Sequence, residues 1–202
     1  HLPAVTLIAQ GETDRRILPP VGLFIVIDQG GMFTMSYMMY APTRVLFGPG
    51  QLDHLHEQTM PWEKAMLVIT LARTKEQLQK AGIAVEVFGK VEANPLKSTA
   101  MEGAEFARSH KCDFVVALGG GSVMDAAKIM AMMAKNQGDL WDYVTGGTGK
   151  GLPLPNAPLP VVCITTTAGT GSEVDQWGVI NNEQTQEKIG SGGHDSLFPV
   201  LA

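Results

Sequence analysis

Short apolar runs alternate with stretches in which apolar residues recur every three or four positions, and this alternation governs the chain from residue 36 onward. The runs at 65–70 (AMLVIT), 112–118 and 160–165 show no solvent-side alternation. That is the pattern of strands buried on both faces of a parallel sheet. Residues 84–88 read as a further strand and 44–47 as a short one. Helical spacing is predicted at 51–59, 74–80 and 96–110, and Gly82 stands where a helix-terminating glycine belongs. After 112–118 come three glycines and a serine, and then Val123, Ala126, Ala127, Met130 and Ala134 mark one face of a helix. Strands alternating with helices predict an α/β fold, a parallel sheet with flanking helices on both faces.

Residues 1–34 break this pattern. A charged knot at 12–16, the pair Pro19–Pro20 and the turn Gly30–Gly31 follow one another with no sustained period. They read as a leader of uncertain order with a strand at 22–27, or as an extra hairpin, ahead of one α/β domain at 35–202. The first residue is His1 rather than Met, which suggests a start that has been cut or processed.

Composition narrows the classes. Apolar residues make up 45% and charged residues 17%, as in an ordinary globular protein. A net charge of −5 gives no electrostatic reason to expect nucleic acid or an acidic membrane surface as a partner. No run approaches the roughly 18 apolar residues of a membrane-spanning helix, and no secretory signal is evident. Cys112 and Cys163 both sit in apolar, strand-like runs, the pattern of reduced core thiols in the cytoplasm.

The chemistry concentrates where strand 112–118 meets Gly119, Gly120, Gly121 and Ser122. A glycine turn lets backbone approach a ligand, and a helix start offers unpaired N–H groups and partial positive charge to a phosphate. Ser122 suits the N-cap, and Asp125 three residues on completes a capping box. The dinucleotide fingerprint G-x-G-x-x-G fails at Met124, and no G-K-[ST] follows. A tight βα turn that uses glycine for backbone geometry alone fits the same residues. A second turn, TTTAGTGSE at 165–173, crowds hydroxyls and N–H groups at a strand's carboxyl end, the ligand edge of an open α/β sheet. Local Ser/Thr turns account for it equally well.

Together FGPG (47–50), NP (94–95), ALGGGSVMDAAK (117–128), GDLWDY (138–143), TTAGTGSEV (166–174) and LFPVLA (197–202) resemble the iron-containing (group III) alcohol dehydrogenases. The resemblance spans about residues 37–202. It implies a Rossmann-like cofactor domain followed by an all-helical C-terminal domain that this chain lacks. The implied activity is hydride transfer between a small alcohol or aldehyde and NAD or NADP. Gly119, Gly120, Gly121 and Ser122 would hold the pyrophosphate, with Asp125 capping the helix near the cofactor. Thr166, Thr167 and Thr170 would line the nicotinamide-side phosphate and ribose, and Asn94 and Lys188 would supply further contacts. Trp141, Asp142 and Tyr143 would anchor a helix end.

The family's Fe2+, or another divalent metal, is held by one Asp and three His of the helical domain, beyond Ala202. No catalytic or metal-binding residue is therefore assigned here. His54 and His56 read as helix surface, and His194–Asp195 as loop. After Thr70 the family carries a longer segment with a ribose-binding carboxylate, where this chain has Leu71; Arg73 is the nearby cation for a 2′-phosphate. The loop preceding LFP is longer than usual for the family. The resemblance further implies a cytoplasmic protein that is a homo-oligomer at full length. A dehydroquinate-synthase-like lyase domain is the alternative, as is a non-catalytic fragment; TTAGTGSE and GDLWDY favour the dehydrogenase. The surface facing the helical domain is expected to be apolar, with Met130, Met132 and Met133 either part of it or ordinary core.

Overall fold

The computed structural model describes residues 41–60, 62–69 and 72–202. The leader at 1–34, with its strand at 22–27, and the Thr70–Leu71 junction lie outside them. Residues 43–202 form a unit built on four strands: β1 (Lys64–Val68), β2 (Ala84–Phe88), β3 (Phe114–Gly119) and β4 (Val161–Thr165). All pair in parallel in the order β2-β1-β3-β4. The chain passes to one side of β1 and then to the other, so the switch point falls between β1 and β3, and the carboxyl ends share one edge.

The unbroken apolar runs follow from burial on both faces. Met66, Val68, Val115, Ala117, Val161 and Cys163 face one layer, made by α2 (Lys97–Ser109) and α3 (Gly121–Lys135). Ala65, Leu67, Phe114, Val116, Leu118 and Val162 face the other, against Leu78 of α1 (Ala72–Lys80), Leu55 and Leu201. The helix expected at 51–59 is a 3-10 helix at Gln51–Glu57. The short strand expected at 44–47 is a single bridge, Arg44 to Leu201, and Leu201 bridges Val162 in turn, so two short segments extend the sheet beyond β4. Gly82 ends α1 at φ 78°, as the sequence predicts.

Helix α3 departs from the amphipathic expectation. Besides the predicted face, Ile129, Met132 and Met133 are buried as well, in a third cluster with Ala100, Ala104, Leu140, Trp141 and Ile180. The cover comes from α2, from the short helix α4 (Leu140–Tyr143), and from an antiparallel hairpin of β5 (Trp177–Asn182) and β6 (Glu187–Gly192) that the sequence pattern did not reveal. Met130, Met132 and Met133 are therefore core. The exposed large apolar side chains described are instead Val45, Phe47, Leu152, Trp177 and Val179. Asp139 and Asp142 close a capping box on α4, and Trp141 is buried, in keeping with an anchoring role.

Candidate functional site

The two glycine-containing turns meet at the carboxyl edge of the sheet. Gly119 pairs with Thr165 across β3 and β4, and the Thr166 N–H donates to the Gly119 carbonyl at 3.0 Å. Gly120 precedes α3 as its N-cap, in extended backbone. None of Gly119, Gly120 and Gly121 has positive φ, so backbone freedom alone does not explain them. Packing explains two. A Cβ on Gly119 would lie 2.6 Å from Val123 Cγ2, and one on Gly121 would lie 2.6 Å from Thr170 Cγ2. At Gly120 a Cβ would meet Thr167 Oγ1 at 3.7 Å, an ordinary contact, so neither packing nor a positive φ demands a glycine at this position.

The capping box expected of Ser122 and Asp125 is not formed. Helix α3 has no side-chain cap and no acidic residue in its first turn. Ser122 lies inside the helix, where its Oγ accepts the Asn94 N–H at 3.4 Å. Asp125 is drawn away: Oδ1 accepts the Ser172 hydroxyl at 2.7 Å, and Oδ2 accepts the Val179 N–H at 3.0 Å. The hairpin and the 165–173 turn supply donors that outcompete the helix's own end. The Val123 and Met124 N–H groups both point to the Gly120 carbonyl, at 3.1 and 3.2 Å, while those of Gly121 and Ser122 find no acceptor among the described residues. Two unpaired N–H groups thus stand at the positive end of a helix of 15 residues, an arrangement able to accept an anion.

Around this helix start stand most of the predicted residues. Thr166, Thr167 and Thr170 are exposed, with Thr167 beside Gly120 and Thr170 packed on Gly121. Asn94, in the left-handed region at φ 56°, accepts from Lys188 Nζ at 2.8 Å through its Oδ1. Ser122, Asn94 and Lys188 thus form one chain of contacts, joining three segments remote in sequence. Arg73 does not stand free for a 2′-phosphate, because its guanidinium holds both carboxylate oxygens of Asp53. That pairing keeps the Asp53 carboxyl below its usual range. His54 and His56 lie on the 3-10 helix, bonded to Glu57 and Gln77. No group of three or more His, Cys, Asp or Glu side chains is placed to hold a metal among the described residues.

Two arrangements escaped the sequence reading. Lys128 is fully buried, and its Nζ donates to Ser172 Oγ at 2.9 Å, Asp175 Oδ1 at 2.6 Å and the Trp177 carbonyl at 2.9 Å. With Asp125 it locks α3 to the 165–173 turn and to β5. A signal was available, since Asp125 and Lys128 are the only charges between Val123 and Ala134. The second is Glu187, whose carboxylate collects four donors and is held down to about 2, chiefly by the Thr148 hydrogen bond.

Residues 42–202 match the family described as iron-containing alcohol dehydrogenase. The chain belongs to the iron-containing alcohol dehydrogenase family. It is 36% identical over 177 residues to a probable NADH-dependent butanol dehydrogenase 1 of Bacillus subtilis, a match covering 83% of this chain and 44% of that protein. It is 40% identical over 162 residues to a choline dehydrogenase of Bacillus subtilis, covering 75% of this chain and 40% of that one. Among solved structures, sulfoacetaldehyde reductase from Bifidobacterium kashiwanohense in complex with NAD+ superposes with a TM-score of 0.72 at 30% identity, over 83% of this chain and 46% of that one. The chain spans less than half the length of these relatives. All three are oxidoreductases by name, which does not favour the lyase alternative. The expected α/β fold, a parallel sheet with flanking helices, is the fold observed.

Proposed function

We propose that this chain carries the dinucleotide-binding part of a divalent-metal-dependent alcohol dehydrogenase acting on a small alcohol or aldehyde. The observation that carries the reading is the pair of unpaired N–H groups of Gly121 and Ser122 at the start of α3, beside a Gly120 that neither packing nor backbone conformation demands. These residues fit a pyrophosphate. Gly121 and Ser122 N–H would donate to it, Lys188 would place a cation across from them, and Thr166, Thr167 and Thr170 would face the adjoining ribose. Asn94 would steer Lys188. Asp125, on the same helix, would brace the site by tying the 165–173 turn and β5 to α3. Arg73 is paired with Asp53 at the surface, and the choice between NAD and NADP is read from the two titrations below.

When bound, the nicotinamide supplies the hydride chemistry, while the protein supplies position and electrostatics. The alcohol must also lose a proton, a step that a Lewis-acid metal eases. The ligands implied by the resemblance, one Asp and three His, belong to the helical part of the whole protein. The 202 residues are therefore expected to bind cofactor without turning over alcohol. A cytoplasmic homo-oligomer is the corresponding reading of the whole protein; no helix among the described residues is long and apolar enough to cross a membrane.

Titration with NADH and with NADPH, followed by nicotinamide fluorescence, tests the reading. Saturable NADH binding that vanishes in Gly120→Asp supports it. No binding to either by a chain that circular dichroism shows to be folded, or equal binding by Gly120→Asp, refutes it.

A further inference from the structure

Lys188 sits on the second strand of a hairpin that has only its own two strands for a sheet, and a two-stranded ribbon is marginal on its own. Its first strand is well tied. The Asn181 N–H and Nδ2 both donate to the Pro95 carbonyl, at 3.0 and 3.2 Å, and Glu183 Oε1 accepts the Ser98 N–H at 3.2 Å. These bonds fix β5 to the loop that carries Asn94. Strand β6 is secured at Glu187, the residue next to Lys188. Glu187 Oε1 accepts the Thr148 N–H at 2.8 Å, and Oε2 accepts the hydroxyls of Thr148 and Thr185, each at 2.6 Å, and Trp141 Nε1–H at 2.9 Å. Gly147, at φ 55°, passes so close that a Cβ there would overlap the carboxylate.

We propose that Glu187 is a positioning residue: its four-donor cage fixes the start of β6 so that Lys188, leaving the opposite face of the strand, reaches Asn94 and the anionic part of the cofactor. This inference rests on the dinucleotide reading above. Alternating strand side chains make the two residues one rigid lever, with the cage as fulcrum on one face and the ammonium on the other. The cage accepts only a carboxylate. The Thr148 N–H and the Trp141 N–H can only donate, so the NH2 of a Gln at 187 would face one of them in either orientation. Glu187→Gln therefore breaks the cage while keeping its size.

The test is a double-mutant cycle on NADH affinity, with the 202-residue chain carrying Glu187→Gln, Lys188→Met, or both. Lys188→Met is expected to weaken binding roughly tenfold, as for one lost charge-assisted contact. Glu187→Gln is expected to weaken it about fivefold through misplacement. In the Lys188→Met background, Glu187→Gln should add nothing, because it acts through the missing ammonium. A general structural role would instead give additive losses and overturns the inference. So does unchanged binding by Glu187→Gln, or by Lys188→Met, in a protein whose parent chain binds NADH; the dinucleotide reading then stands. A folded parent chain that binds no NADH overturns both. If Glu187→Gln does not fold, Thr148→Val, which removes one hydroxyl donor, takes its place in the cycle with the same expected pattern.

Discussion

Replacing Lys128 by Met removes the charge at the centre of the α3 network while nearly preserving volume. The ammonium is fully buried, and all three of its protons are used, on Ser172, Asp175 and the Trp177 carbonyl. Removing one member of a buried ion pair costs about 3–5 kcal/mol when the orphaned partner stays dry. Asp175 does not stay dry, since its side chain is 40% exposed. Water can solvate the abandoned carboxylate, which brings that part well below the dry figure. The Trp177 carbonyl loses its donor, at about 1–3 kcal/mol for a buried unsatisfied group, whereas Ser172 Oγ loses one donor and keeps its own bond to Asp125. The expected loss is about 2–4 kcal/mol, a large share of the 5–15 kcal/mol typical of a domain. At about 2–4 °C per kcal/mol for a chain of this size, Tm should fall by roughly 4–16 °C. Urea unfolding of wild type and variant, read by circular dichroism, gives the difference directly. Adding Asp175→Asn should restore part of the loss, because it removes the orphaned charge. A Lys128→Met chain within about 1 kcal/mol of wild type, below even a single orphaned group, would refute the argument that this ammonium ties the two turns together.

Two further outcomes follow from packing and charge. Gly178→Ala should destabilise by about 1–3 kcal/mol, because its Cβ would lie 2.7 Å from the Asp125 carbonyl oxygen, which is backbone; Gly103→Ala should cost less, because there the neighbour is the flexible end of Met130, and thermal melts of the pair give the ranking. Glu187 is held down from 4.5 to about 2 in the folded state, so its stabilisation is fully present above the unfolded value and is lost as pH falls from about 4.5 towards 2. The stability gap between wild type and Glu187→Gln in urea melts should therefore shrink across that window, and a gap that is constant from pH 7 to pH 2 would contradict the cage.

The strands of the sheet and the existence of α1, α2 and α3 were legible because each is written locally. A strand buried on both faces needs an unbroken apolar run, and 65–70, 112–118 and 160–165 are such runs. A helix end needs a residue that tolerates positive φ, and Gly82 is one. Legible too were the two turns at the ligand edge, since glycine and hydroxyl clusters after a strand are a local signature. The hairpin of β5 and β6 was not, because Gly178, Gly190 and Gly192 dilute its period and its exposed face carries Trp177 and Val179. The burial of Met132 and Met133 followed from that hairpin and α4, which no pattern within the helix could announce.

What the sequence by itself determined is therefore the α/β class, the family, and the glycine turn at the start of α3 that the proposed cofactor site is built on. What only the tertiary structure decided is how the polar side chains around that turn are spent. Asp125 had the right spacing for a capping box, yet Ser172 and the Val179 N–H claim it from 47 and 54 residues away. Arg73 had the right charge for a phosphate, yet Asp53 occupies it. Lys188 and Asn94 lie 94 residues apart and meet at 2.8 Å. A local pattern records what a side chain is able to bind; which partner wins depends on the donors and acceptors that the fold brings within about 3 Å, the reach of a hydrogen bond.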